Sequence, residues 1–175
     1  MRTKVLCLAI LSVLVVGGCG GSAWTDFTSA DGRFSVTVPG TFTEETQTIP
    51  TGAGDIEMHI FTLDKGDAGY FVRYSDVPAE LLAPGNTAAL IDGSIQDAFG
   101  NVGGSVESQK EITLDGHPGR EATGSFSFEG EAGTLKARAY LVDDRIYMVF
   151  AGARGGQGNS TDTDRFLDSF KLASP

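Results

Sequence analysis

After Cys19 the chain contains no further cysteine, and the only other one is Cys7. A domain that begins near Cys19 therefore has no thiol pair for an intramolecular disulfide and no thiolate set for structural zinc. Histidine is almost as scarce, with only His59 and His117. A metal site would need both of them, with carboxylates, gathered from distant segments. Basic charge is also short: 13 Lys and Arg stand against 23 Asp and Glu, for a net charge of −10. Arg2 and Lys4 lie at the extreme N-terminus, and without them the remainder carries −12. Such a domain is unsuited to gripping a phosphate backbone, so no nucleic-acid partner is expected. Adhesion to anionic lipid by charge alone is equally disfavoured.

Catalytic signatures are missing too. The chain has no Gly-x-Ser-x-Gly elbow and no His-Glu-x-x-His. Gly152–Gly158 is a glycine-rich stretch between an expected strand and an expected helix, where phosphate loops sit. It lacks the Gly-Lys-Ser/Thr ending and the Gly-x-Gly-x-x-Gly spacing, so it reads as a connector. Asp162-Thr-Asp164 lacks the glycine and closing glutamate of a calcium loop, and fits the first turn of a helix instead. No catalytic, metal or cofactor-binding residue is expected, and the chain reads as not an enzyme.

What is present begins with a leader. Met1-Arg-Thr-Lys4 is a short basic start, Val5–Val16 is an almost unbroken apolar run, and Val16-Gly17-Gly18-Cys19 follows. A charged head, a short apolar segment and small residues before a cut describe a secretory signal, too short to span a bilayer comfortably. The ending resembles a bacterial lipobox. That resemblance implies cleavage between Gly18 and Cys19, a diacylglyceryl thioether on Cys19 and, in many bacteria, acylation of the new amine. Two or three acyl chains anchor firmly where one is marginal. The expected organisation is a signal peptide over 1–18, a lipidated cysteine and flexible tether over 19–23, and one domain over 24–173. That length suits a single core.

Within the domain, period-two patterning dominates. Arg33–Val38 places Phe34, Val36 and Val38 on one side, after a Trp24–Phe27 strand and an Asp31-Gly32 turn. Phe42–Ile49 reads as a further strand broken at Pro50. Ile56–Leu63 pairs with Tyr70–Ser75; Ile56, Met58 and Ile60 point inward, with Phe61 and Leu63 apolar on the opposite parity. Thr87 is the expected N-cap of a helix running to about Phe99, with Leu90, Ile91, Ile95, Ala98 and Phe99 as its apolar stripe. Gly93 inside it costs about 1 kcal/mol relative to alanine.

Ser105–Ala151 then reads as a four-strand meander with turns at Asp115-Gly116, Glu129-Gly130 and Asp143-Asp144. Its inward set is Val106, Ile112 and Leu114; Ala122, Gly124, Phe126 and Phe128; Leu135, Ala137, Ala139 and Leu141; and Ile146, Met148 and Phe150. Phe126, Leu141, Met148 and Phe150 are expected to be buried toward a helix. Thr161–Leu172 is expected as a closing helix with Phe166, Leu167 and Phe170 inward. Twenty-four glycines suit the turns and leave little room for long helices. Arg120 and Glu121, in Gly116-His-Pro-Gly-Arg-Glu121, are expected to be a structural pair at a sheet end.

The order of elements, with Asp31-Gly-Arg-Phe-Ser-Val-Thr-Val-Pro39, Gly116–Glu121 and Arg165-Phe-Leu-Asp-Ser-Phe170, resembles the bacterial PsbP-like proteins. Their fold is related to that of an extrinsic subunit of photosystem II. The resemblance spans Trp24–Leu172 and implies an α+β architecture: an α/β/α sandwich around a mostly antiparallel sheet, with N-terminal hairpins, a central helix, the meander and a C-terminal helix. It supplies no catalytic residues. The functional expectation is a lipid-anchored protein of the bacterial cell envelope, outside the cytoplasm. It would bind the membrane through the lipid on Cys19 and act as a non-enzymatic binding or accessory module for an envelope protein or small ligand. Two alternatives are a carrier of a small apolar ligand or lipid, with its pocket between sheet and central helix, and an unrecognised hydrolase using His59 or His117.

Overall fold

The computed structural model describes residues 23–52, 54–83, 85–128, 130–155 and 161–173. The leader, the cleavage position at Gly18 and Cys19 lie outside the described residues.

The N-terminal hairpin is β1 (Thr25–Ser29) and β2 (Phe34–Val38), as the alternation predicts. β3 (Thr43–Thr51) and β4 (Gly54–Asp64) form a second hairpin, and β5 (Ala68–Asp76) continues it. Pro50 does not end β3: it faces Asp55 across the hairpin. A proline is tolerated there because β3 is an edge strand. A short 3-10 turn at Ala79–Leu81 interrupts the loop before α1 (Thr87–Gly100). The N-cap of α1 is Asn86, one residue before the expected Thr87. The meander follows as β6 (Ser105–Leu114), β7 (His117–Phe128), β8 (Glu131–Val142) and β9 (Arg145–Arg154). β9 runs through Gly152 to Arg154, so the start of the expected glycine-rich connector is strand; residues 156–160 are outside the described set. The closing helix α2 is Thr161–Ser169, shorter than predicted. Lys171–Leu172 forms a short strand, β10, against β2.

β3-β4-β5-β9-β8-β7-β6 make one seven-stranded antiparallel sheet, and β1-β2-β10 a three-stranded one. The chain leaves β5 in the middle of the large sheet and must reach β6 at its far edge. Helix α1 makes that crossing and packs on β6 through β9. Ile91, Ile95, Ala98 and Phe99 fall on one side at helical spacing and are buried. Beneath them lie Ala122, Leu135, Ala137, Ala139, Leu141 and Met148. Three alanines under the helix let its backbone come close to the sheet.

The opposite face carries α2 together with the expected N-terminal hairpin, which β10 extends into a separate three-stranded sheet. Its core is aromatic: Phe34 meets Phe27, Phe61, Tyr74, Tyr147 and Phe170 at ring separations of 5.4–6.4 Å. The large sheet is therefore covered on both sides over its central strands. This places Phe61, rather than Ile56, Met58 and Ile60, in the deep core.

One register shift changes the reading of the meander. A bulge between Val106 and Ser108 adds a residue to β6 opposite β7. Val106 packs in the α1 cluster, whereas Ile112 and Leu114 pack in the aromatic cluster on the other face. A one-residue slip turns every following side chain over, so the three do not share a face as predicted. Leu141 and Met148 are buried as expected, but Phe126 and Phe150 are only half-buried, because α1 does not extend over them.

Candidate functional site

Where α1 ends, the sheet beneath it is left with a concave, mostly apolar surface of about 290 Å³. Its floor is built from glycines. Gly69 on β5 faces Gly152 on β9. A Cβ at position 69 would lie 2.7 Å from the Phe71 ring, and one at 152 would lie 3.2 Å from both Leu135 and Phe126. The missing side chains thus leave room for the rings that form the walls. Phe71 and Phe150 are cross-strand partners stacked at 4.7 Å with planes 7° apart. Phe126, Leu135 and Val102 complete the lining, and Asp64, Asp67 and Arg154 stand at the rim. The Arg154 guanidinium is 3.1 Å from Glu131.

Two further concavities are lined by charged groups. At the N-terminal end of α1, Thr87, Ile91, Glu111 and Arg120 line one. There Arg120 donates to Asp92 at 2.9 Å and sits 2.7 Å from Glu111. A third lies between Arg33, Asp115, Asp143 and Tyr147, at the opposite end of the small sheet. Beside it Arg145 bridges β9 to Asp76 and donates to the Asp31 carbonyl at 2.6 Å, while the Tyr147 hydroxyl donates to the Gly32 carbonyl at 2.8 Å. The Arg145 guanidinium also lies 4.5 Å above the Tyr74 ring. Its hydrogen bond to Asp76 raises its pKa further above the ordinary arginine value despite partial burial.

Under α2 lies an ionic network. Glu121 is 2.8 Å from Lys110 and accepts from Arg138 at 2.7 Å, and Lys136 stands 3.8 Å away. Lys136 and Arg138 then reach Asp164 and Asp168 of α2 at 2.8 and 2.7 Å. Burial pushes the Glu121 carboxyl up, but the hydrogen bonds from Lys110 and Arg138 and the nearby positive charges outweigh it and hold the group below the usual range.

Several predicted positions land differently from the sequence reading. Arg120 and Glu121 are adjacent on β7 and project to opposite faces, so they are not a pair: each belongs to a separate network. His59 is on β4, stacked on Tyr74 at 4.6 Å and sharing a 3.2 Å hydrogen bond with Thr46. His117 opens β7, and three strands separate the two, a lateral distance of about 19 Å. The structure does not bring them together. Among the described residues no three His, Cys, Asp or Glu side chains converge as metal ligands, and no helix is long and apolar enough to cross a membrane. Asp162 and Asp164 occupy the first turn of α2, as their chemistry favours.

The sequence reading passed over Gly69, Phe71, Val102 and Phe126 as components of a cleft. The available signal was Phe71, an aromatic residue on the parity of Tyr70–Ser75 that otherwise carries Arg73 and Ser75, which implies a second face with something to cover.

No family description matches this sequence, and no curated protein does. Among solved structures, the fold is similar to the solution structure of cyanobacterial PsbP from Synechocystis. The TM-score is 0.58 at 13% identity, over 90% of this chain and 98% of that one. The fold is thus PsbP-like and α+β, with a central and a C-terminal helix. A Bacteroides thetaiotaomicron protein aligns with a TM-score of 0.49 at 11% identity, over 85% of this chain and 48% of that one. A Pseudomonas aeruginosa protein of unknown function aligns at 0.38 and 11%, over 75% and 83%.

Proposed function

We propose that this chain is a non-enzymatic binding module held at the bacterial cell envelope by lipid on Cys19. The observation that carries the reading is how its polar and apolar groups are deployed. Arg120, Lys136, Arg138, Arg145 and Glu121 already sit in ion pairs that hold elements together. The cleft beyond α1, by contrast, is walled by aromatic and aliphatic side chains with charge only at its rim. Apolar walls with a few polar groups at one edge suit holding a ligand. The same cleft favours the carrier of a small apolar ligand over the hydrolase, since neither His59 nor His117 lines it.

Two measurements test this. Labelled fatty acid supplied to cells should enter the wild-type chain and not Cys19→Ala; equal labelling of both sinks the anchor. Native mass spectrometry of the full chain taken from its own membranes in mild detergent should show a fraction with non-covalently held small molecule or protein. A chain that never carries either, in any preparation, counts against the binding reading.

A further inference from the structure

The shape and charge of the cleft specify its occupant more narrowly, on the basis of the binding reading above. α1 packs over β6 to β9 and, on the same face, is reached from β5 by Arg73, which donates to the Ser94 carbonyl at 3.0 Å. Along β4 on that face stand Thr62, which lines the cleft, then Ile60, Met58 and Ile56, all half-buried. Alternate residues on a strand are about 6.8 Å apart, so this row runs roughly 20 Å from the cleft away from the β4–β5 turn, with Arg73 and Glu45 as the cross-strand neighbours of Ile60. A compact ring system would fill the cleft alone. A linear hydrocarbon chain would fill the cleft and follow the row.

The rim sets the other end of the ligand. Asp64 and Asp67 lie in and beside the β4–β5 turn with Lys65 between them, and Arg154 is engaged with Glu131, so three carboxylates stand against two cations. An anionic head would meet like charge there. The chain itself leads to the same end of the fold. Trp24 packs edge-on against Tyr70 at 6.0 Å, and Tyr70 is the neighbour of Gly69 in the cleft floor. From Cys19 to Ala23 is five residues, a reach of at most about 17 Å. An anchor at Cys19 therefore holds this end of the sheet next to the bilayer.

We propose that the cleft and the β4 row bind the hydrocarbon chain of a single-chain amphiphile with an uncharged head, taken from that membrane. The head rests at Asp64 and Asp67, and the tail runs past Phe71 and Phe150 toward Met58.

The test uses the full chain carrying Cys19→Ser, prepared without detergent. Monododecanoylglycerol and dodecanoate, which share a tail length and differ in head charge, are titrated by calorimetry. The uncharged amphiphile should bind and raise the melting temperature, with dodecanoate about tenfold weaker because of the acidic rim. Met58→Glu, on the half-buried row, should weaken the uncharged ligand while the melting temperature of the free protein holds. Gly152→Val should abolish binding by filling the floor. Asp67→Lys should narrow or reverse the preference against dodecanoate, and it remains informative if Gly152→Val fails to fold. Equal binding of both amphiphiles by wild type and Asp67→Lys overturns the assignment of the head. Binding of neither, or binding indifferent to Met58→Glu and Gly152→Val, overturns the proposal. The binding-module reading survives that outcome if chain taken from membranes still carries a partner protein, and fails with it if nothing is carried.

Discussion

Arg145 holds Asp76 through two hydrogen bonds of 2.5 and 2.8 Å, joining two residues that face each other across β5 and β9. A third bond from the same guanidinium reaches the Asp31 carbonyl, so one side chain ties the N-terminal hairpin to the centre of the large sheet. Phe34, packed among its aromatic neighbours, lies on the hairpin so tied.

The clamp makes stability depend on pH. The hydrogen bond from Arg145 holds the Asp76 carboxyl below its usual range, against the opposing effect of burial. A depressed carboxylate contributes stability that is present above the unfolded value of about 3.9 and is lost as pH falls through the folded one. Because Asp76 is more than half exposed, Asp76→Asn should cost only about 1–2 kcal/mol at pH 7. Urea melts of wild type and variant should converge as pH falls through the depressed folded pKa of Asp76. A gap that stays constant with pH would count against the clamp.

Two phenylalanines should separate clearly in the same assay. Phe34 is fully buried among five rings, and Phe34→Ala should cost about 3–5 kcal/mol. Phe150 lies at the open cleft and keeps mainly its stack on Phe71, so Phe150→Ala should cost about 1–2 kcal/mol. Equal losses would mean that α1 covers Phe150 in solution.

Glycine substitutions should move stability in opposite directions. At Gly93, within α1, a Cβ meets nothing within 4 Å, so Gly93→Ala should stabilise by about 0.5–1 kcal/mol. At Gly124 a Cβ would lie 2.0 Å from the Ser105 carbonyl oxygen and 2.7 Å from the Phe99 ring. Backbone cannot step aside there, and Gly124→Ala should cost about 2–4 kcal/mol. Thermal melts decide both, and a neutral Gly124→Ala would mean that β6 and β7 are not paired at the bulge as described.

Removing the hub of the ionic network should hurt more than removing its periphery. Glu121 is almost fully buried among Lys110, Lys136 and Arg138, and Glu121→Gln should cost about 2–3 kcal/mol at pH 7. Asp168 is largely exposed, and Asp168→Asn should cost less than about 1 kcal/mol. Chemical melts of the two variants should rank in that order, and the reverse order would place the strength of the network on α2.

Much of the fold was legible because its signals are local. Phe34, Val36 and Val38 alternate within five residues of one strand, and the left-handed Asp115 and Gly116 make the tight connection their dipeptide implies. Ile91, Ile95, Ala98 and Phe99 declare a helical face within nine residues. The bulge at Val106 was not legible, since nothing in Ser105–Leu114 alone says that β7 will oppose two residues with one. Nor was the separation of Arg120 from Glu121, whose partners Asp92, Lys110 and Arg138 come from three other elements.

The candidate cleft divides in the same way. Its residues are apolar or glycine in the sequence, but a cleft is defined by what fails to cover them. By itself the sequence determined the strand and helix faces and the expectation of lipid on Cys19, because periodicity, turn residues and a processing motif act over a few positions. Only the tertiary structure decided that α1 crosses β9 to β6 and stops short of Phe71 and Phe150. The length of that crossing depends on the strand order, and strand order follows from contacts between residues tens of positions apart.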